Sequence, residues 1–344
     1  MTFRPELDGL RGVAVLLVIG GHLYVPGLLG GGNVGVTLFF VLSGYLITSI
    51  LRENDDMIRF YKRRARRLLP ALIAWLGVLV MAGVVTHGEA LHPLLYAANW
   101  SAATGNLAAP LAHTWSLAVE EQFYLLWPAV LLVARRPVWF VAAVMVGTSV
   151  AGVMGASNSL VGEIGRFGPI AWGCLLGLGV IPRLPRLIVL AAVGLIAAFV
   201  LFPPPSAEWS NRLGPLLSAA AFAVVAVLVR RETGPLAIPP LMAVGRISYG
   251  LYLWHAPFAF AIWPLLSDGQ DRPGDLVWTL VAIAASFACA ITSWVVVERR
   301  FVAPRSAEGG SRPASHAPGG RHEGATGSQG QRAPKARAAG SIAT

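Results

Sequence analysis

The chain has 344 residues, of which 55% are hydrophobic and only 13% charged, with a mean hydropathy of +0.63. A soluble domain of this size needs far more surface charge, so the composition excludes the soluble classes and points to a polytopic membrane protein. The net charge of +10 does not point to nucleic acid, because the arginines cluster at the ends of apolar runs, where topology signals and lipid headgroup contacts sit.

Ten apolar runs follow one another, at about 12–29, 34–51, 68–85, 117–134, 138–154, 163–181, 187–202, 213–229, 247–266 and 276–297. Turn signals separate them, among them "GGGN" at 30–33, "PRLPR" at 182–186 and "PPPS" at 203–206. The first run lacks the flanks of a cleavable signal, since Glu6 and Asp8 dilute its basic end, and it reads as a retained helix. With the N-terminus inside, the inner segments carry 19 of the 27 Lys and Arg residues and the outer ones only Arg166, Arg212 and Arg272. That asymmetry predicts an all-α bundle of about ten transmembrane helices with both termini cytoplasmic, in the cell membrane. Residues 90–112 are apolar too, but two prolines, two asparagines and a glycine make them an outer loop lying on the membrane or dipping into it. From 303 onward Gly, Ser, Pro, Ala and Arg dominate, which predicts a membrane domain over 1–302 and a disordered tail over 303–344. The two cysteines, Cys174 and Cys289, lie in apolar runs far apart and define no disulfide framework.

The polar residues inside these runs carry the chemistry. Arg11 and His22 are eleven positions apart, three helical turns, so they share one face and lie ~16 Å apart along the axis; Asp8 shares that face. His22 falls well inside its apolar run, which leaves two readings: a neutral ring bonded to a neighbouring helix, or a functional group on a pathway. "VGVTLFFVLSGY" at 34–45 adds Ser43 and Gly44, small residues that let helices approach closely. "FYKRRARRLLP" at 60–70 sets Lys62, Arg63, Arg64, Arg66 and Arg67 at the inner face. Positive-inside anchoring needs fewer charges than this, and guanidinium groups bind phosphate oxygens bidentately, whether of a cofactor or of anionic lipid.

In "HTWSLAVEEQFYLLWP", 113–128, a helix places His113, Ser116 and Glu120 near one face, with Trp115 and Glu121 beside them, as a polar pocket at the outer entrance of the fourth span. A carboxylate there is expected to orient His22 if the two spans meet. "ISYGLYLWHAPF", 247–258, holds Tyr252 and His255, read first as helix packing and second as lining of the substrate path.

Together these motifs, "LDGLRGVAVLLVIGGH", "FFVLSGYLI", "RRARRLLP", "HTWSLAVEEQFYLLWP" and "ISYGLYLWH", resemble in content and order the acyltransferase-3 family of integral-membrane acyltransferases, over about residues 3–302. The resemblance implies ten core helices and acyl-CoA, commonly acetyl-CoA, as a co-substrate drawn from the cytoplasm, with no permanently bound cofactor. It implies a carbohydrate or glycosylated small molecule such as a macrolide as acceptor. It carries an Arg-x10-His pattern onto Arg11 and His22, and an inner arginine motif onto Arg63, Arg64, Arg66 and Arg67. Its Trp-Ser-Leu and Glu-Glu motif falls on Trp115 to Glu121. Nothing after 302 reads as foldable, which places the chain with members lacking a fused esterase-like domain. The expected mechanism puts the nucleotide phosphates on Arg11 and the 62–67 cluster and the thioester near His22 as general base, with Glu120 or Glu121 orienting the ring. No metal is expected. A proton-coupled transporter or flippase, using the same groups as a relay, is the alternative.

Overall fold

A computed structural model describes residues 4–301 except 54–55, 155–161, 163, 232–233 and 263–275; the tail predicted to be disordered lies outside the described residues. Those residues form helices and turns without strands, and every one of the ten apolar runs carries a helix. In chain order these are α1 (Pro5–His22), α2 (Gly31–Glu53), α3 (Met57–Met81), α4 (His87–Leu94), α5 (Ala98–Ala103), α6 (Thr114–Val133) and α7 (Pro137–Met154). There follow α8 (Gly168–Gly177), α9 (Arg186–Leu201), α10 (Ala207–Val229), α11 (Pro239–Arg246), α12 (Ser248–Pro257) and α13 (Leu276–Val296). Five of them, α2, α6, α7, α10 and α13, are long and apolar enough to cross a membrane unaided. The chain is a multi-pass membrane protein with a helical bundle for its core.

The first helix ends sooner than its apolar run. Pro5 opens it, where the absent N–H costs nothing, and Glu6 and Asp8 in its first turn complement the dipole. At the other end Val25 N–H reaches Gly20 O at 2.9 Å and Tyr24 N–H reaches Gly21 O at 3.4 Å, with Tyr24 at φ +56°. That is a Schellman stop with a tyrosine in the left-handed position that usually takes glycine. His22 is therefore the last residue of α1 rather than a residue deep inside a longer span.

Close backbone approach holds the centre of the bundle. A Cβ on Gly173 of α8 would lie 2.0 Å from Val41 O, and one on Gly44 of α2 would lie 2.1 Å from Ile170 O. Only glycine permits this crossing, and packing between backbones stands in for the hydrophobic effect that lipid cannot supply. Gly173→Val is expected to lower stability by ~1–3 kcal/mol or more through overpacking, read as an earlier thermal transition in detergent. An unshifted transition would mean that α2 and α8 are not in this contact.

Residues 90–112 form the short helices α4 and α5 and one 3-10 turn, as their prolines and asparagines predict. Thr86 and Glu89 close a capping box at the start of α4, and the bonds from the Thr86 backbone N–H and hydroxyl hold the Glu89 carboxyl below its usual range. The segment then folds inward against α6, two turns from that helix's start. Gln122 Nε2 donates to Tyr96 O at 2.8 Å and to Asn99 Oδ1 at 2.9 Å, and Asn99 is fully buried. Irregular backbone inside a membrane protein survives where such partners satisfy it.

Candidate active site

Two polar constructions meet at the centre of the bundle. The first is a cluster of histidines from three helices. His22 Nδ1 lies 2.9 Å from His255 Nε2, and the two rings are within 6° of parallel with centroids 5.2 Å apart. That separation equals the N···N distance plus a ring radius at each end, so the rings meet edge to edge in one plane. The nitrogen lone pair of one ring therefore points straight at the N–H of the other.

The direction of this bond follows from its neighbour. His255 Nδ1 lies 3.2 Å from Leu251 O, an acceptor only, so Nδ1 carries the hydrogen and Nε2 the lone pair. His22 must then donate from Nδ1, which leaves its Nε2 as the basic nitrogen. That nitrogen faces Gly32, where a Cβ would stand 3.2 Å away. His113 completes the cluster: its ring is 5.3 Å from His255 and 5.4 Å from Trp75, centroid to centroid, and both its nitrogens are buried without a hydrogen-bond partner. Among the described residues no group of His, Cys, Asp and Glu has the geometry to hold a metal ion.

The second construction is a cavity enclosing about 690 Å³ up to its mouth, with Arg11, Arg64 and Arg67 at one end and Ser116 and Tyr252 at the other. Between them the hydroxyls of Ser43 and Tyr124 both donate to Glu120 Oε1, and the two hydroxyls are 3.0 Å apart. The Arg64 guanidinium lies 3.6 Å over the Tyr124 ring and 3.6 Å from Glu121 Oε1. At the far end Tyr252 O–H donates to His113 O at 2.9 Å and lies 2.5 Å from Ser116 Oγ. The Tyr252 ring touches both His113 and His255. A charged entrance and the histidine cluster are thus joined through Tyr252.

Comparison with known proteins fits this geometry. The model of an acyltransferase domain matches residues 4–297. The chain belongs to the acyltransferase-3 family. It is 32% identical over 348 residues to the peptidoglycan O-acetyltransferase OatA of Listeria monocytogenes, covering 86% of this chain and 55% of that protein. It is 30% identical over 317 residues to the O-acetyltransferase OatA of Staphylococcus aureus, covering 78% of this chain and 52% of that protein. The chain therefore spans about half the length of the curated relatives it matches. No solved structure matches. Family membership does not favour the transporter reading.

Within this acyltransferase-3 domain the predicted residues fall into place unevenly. Arg11 and His22 share α1 as their spacing requires, and Asp8 is buried one turn before Arg11. The arginine cluster, expected to act as a unit, is split by the helix that bears it. Arg64 and Arg67, three apart, line the cavity, Arg67 while still exposed, whereas the exposed Lys62, Arg63 and Arg66 do not line it. Ser116 and Glu120 line the cavity with Ser43, whose hydroxyl is engaged in a polar network; Gly44 alone makes the close approach.

The expected pairing of a glutamate with His22 is corrected. Glu120 is held by Ser43 and Tyr124, Glu121 faces Arg64, and both sit two turns inside α6 rather than at its entrance. The ring that meets His22 is His255, which the sequence suggested first as packing. Trp115 turns to a different cleft, at the end of the bundle where α1 finishes in His22. Tyr124 was not anticipated, although its position four residues after Glu120 is the spacing that brings side chains together on a helix.

Proposed function

We propose that this domain transfers an acyl group, acetyl foremost, from acyl-CoA to a hydroxyl of a carbohydrate in the plasma membrane. The observation that supports this best is a cavity lined by Arg11, Arg64 and Arg67 and bounded by Tyr252, whose ring packs on His255, the partner of His22. Three arginines lining the cavity suit the phosphates of a nucleotide, and the polar space between them and Tyr252 suits the extended pantetheine arm. The names of the relatives, which act on peptidoglycan or carry out O-acetylation, favour a glycan acceptor and an acetyl group.

The chemistry balances with this chain's own groups. The acceptor oxygen attacks the thioester carbonyl carbon while His22 Nε2 takes its proton, giving an imidazolium whose Nδ1–H remains shared with His255. The tetrahedral intermediate collapses with cleavage of the C–S bond. The proton on Nε2 passes to the departing thiolate, and the base is restored. Glu120 and Glu121 shape the donor cavity and compensate its guanidinium groups.

Membranes containing the protein, labelled acetyl-CoA and a panel of glycans are expected to yield labelled ester and free thiol. Arg67→Gln is expected to raise the donor KM by about 10-fold, the loss of one charge-assisted hydrogen bond. Arg63→Gln and Arg66→Gln, whose side chains do not line the cavity, are expected to leave it unchanged. Equal effects from all three would mean that phosphate is bound by the cluster as a whole and not in this cavity.

A further inference from the structure

A second cleft opens where Trp115 points, enclosing about 870 Å³ up to its mouth, within the usual range for small-molecule sites. Its walls come from the first turns of α2, α6, α8 and α10 and the last turns of α7. All of these lie at the end of the bundle where α1 finishes in His22. The chemistry of this cleft differs from that of the donor cavity. Amides and hydroxyls line it, including Asn33, Thr37, Ser149 and Asn211, together with the indoles of Trp115 and Trp172. Arg166 is its one charged lining residue among the described residues, and its guanidinium lies 3.9 Å over Trp115. Phe40 meets the same indole edge-on at 6.1 Å, so Trp115 is clamped on two sides.

We propose that this cleft is the acceptor subsite and that it takes an uncharged pyranose ring of a glycan. This rests on the acyl-transfer reading and adds the place and chemical class of the acceptor. A sugar ring needs hydrogen bonds around its rim and an apolar surface for its C–H face. Convergent amides and hydroxyls beside rigid indoles supply both. A second nucleotide would find one guanidinium where the donor cavity offers three. Position supports the same assignment. The two cavities share Val36 and Phe40 as a common wall. Asn33, a lining residue, directly follows the glycine that faces the basic nitrogen of His22. A hydroxyl at that edge of the cleft lies on the side of His22 that His255 leaves free.

The test compares acceptor and donor dependence in the full chain in membranes, with acetyl-CoA and soluble neutral oligosaccharides of N-acetylglucosamine or glucose, and with uronic acid oligomers as charged counterparts. Asn211→Ala removes hydrogen bonds from the far wall, and Ser149→Phe fills the cleft. Both are expected to raise the KM for the neutral glycan at least 10-fold while the donor KM stays at its wild-type value. A neutral-glycan KM unchanged in both variants overturns the proposal, and so does a preference for the uronic acid oligomers. Release of thiol from acetyl-CoA without acylation of any glycan overturns the cleft assignment and leaves standing only the donor half of the transfer reading. No thiol release from the wild type under any condition counts against the transfer reading itself. A variant that fails to insert is recognised by its loss from the membrane fraction, and Asn211→Ser, which keeps one hydrogen-bonding group, then supplies the comparison.

Discussion

His22→Ala is expected to lower acyl transfer by ~10²–10⁴-fold, the range that a positioned base contributes. The expectation follows from the orientation of the ring and does not require an unusual proton affinity. Leu251 O fixes the tautomer of His255, His255 fixes the tautomer of His22, and the one remaining lone pair faces Gly32 at the edge of a polar cleft. Donor KM is expected to stay near wild type, because the guanidinium groups that line the donor cavity lie three turns away along α1 or on α3. Gly32→Ala offers a second measurement at the same nitrogen. Its methyl group would stand 3.2 Å from Nε2, crowding the position that the acceptor hydroxyl must occupy, and kcat is expected to fall without a change in donor KM. Full turnover in His22→Ala would remove the ring from the chemistry and return it to helix packing.

What the sequence made legible here were features with a local period. Arg11 and His22 fall on one face because eleven residues make three turns, and the helix places them so. The same reasoning sets Arg64 beside Arg67, three residues on, and turns Lys62 and Arg66 away, though it also puts Arg63, four residues before Arg67, next to that face. Treating the five charges as one surface passed over that information. Proline and asparagine content marked residues 90–112 as irregular, and they fold inward on Gln122 as two short helices.

The contacts between helices were beyond reach for a physical reason. Whether α6 or α12 supplies the partner of His22 depends on how helices cross, and crossing here is set by backbone approach at glycines such as Gly44 and Gly173, which carry no label of their partner. A carboxylate is the usual companion of a catalytic imidazole, and that habit favoured Glu120 and Glu121. In this bundle those carboxylates answer guanidinium and hydroxyl groups, and a neutral imidazole takes the orienting place. Burial explains the exchange. Beside a ring in an apolar setting, a buried carboxylate would carry a desolvation cost that a neutral acceptor avoids.

His255→Leu is expected to reduce kcat by ~10–10²-fold, toward the lower part of the range for base catalysis, because the base remains present and only its orientation is lost. His255 touches no reacting atom and acts through His22, so its loss is expected in kcat and not in either KM. The conservative variant separates this role from simple packing. A glutamine at 255 keeps a carbonyl oxygen able to accept the His22 Nδ1–H, whereas leucine fills the space without any acceptor. His255→Gln is therefore expected to recover much of the activity that His255→Leu loses, although its shape departs further from the imidazole ring. If His255 served packing alone, the order would reverse, since the apolar leucine suits a fully buried position better than an amide with an unpaired N–H₂.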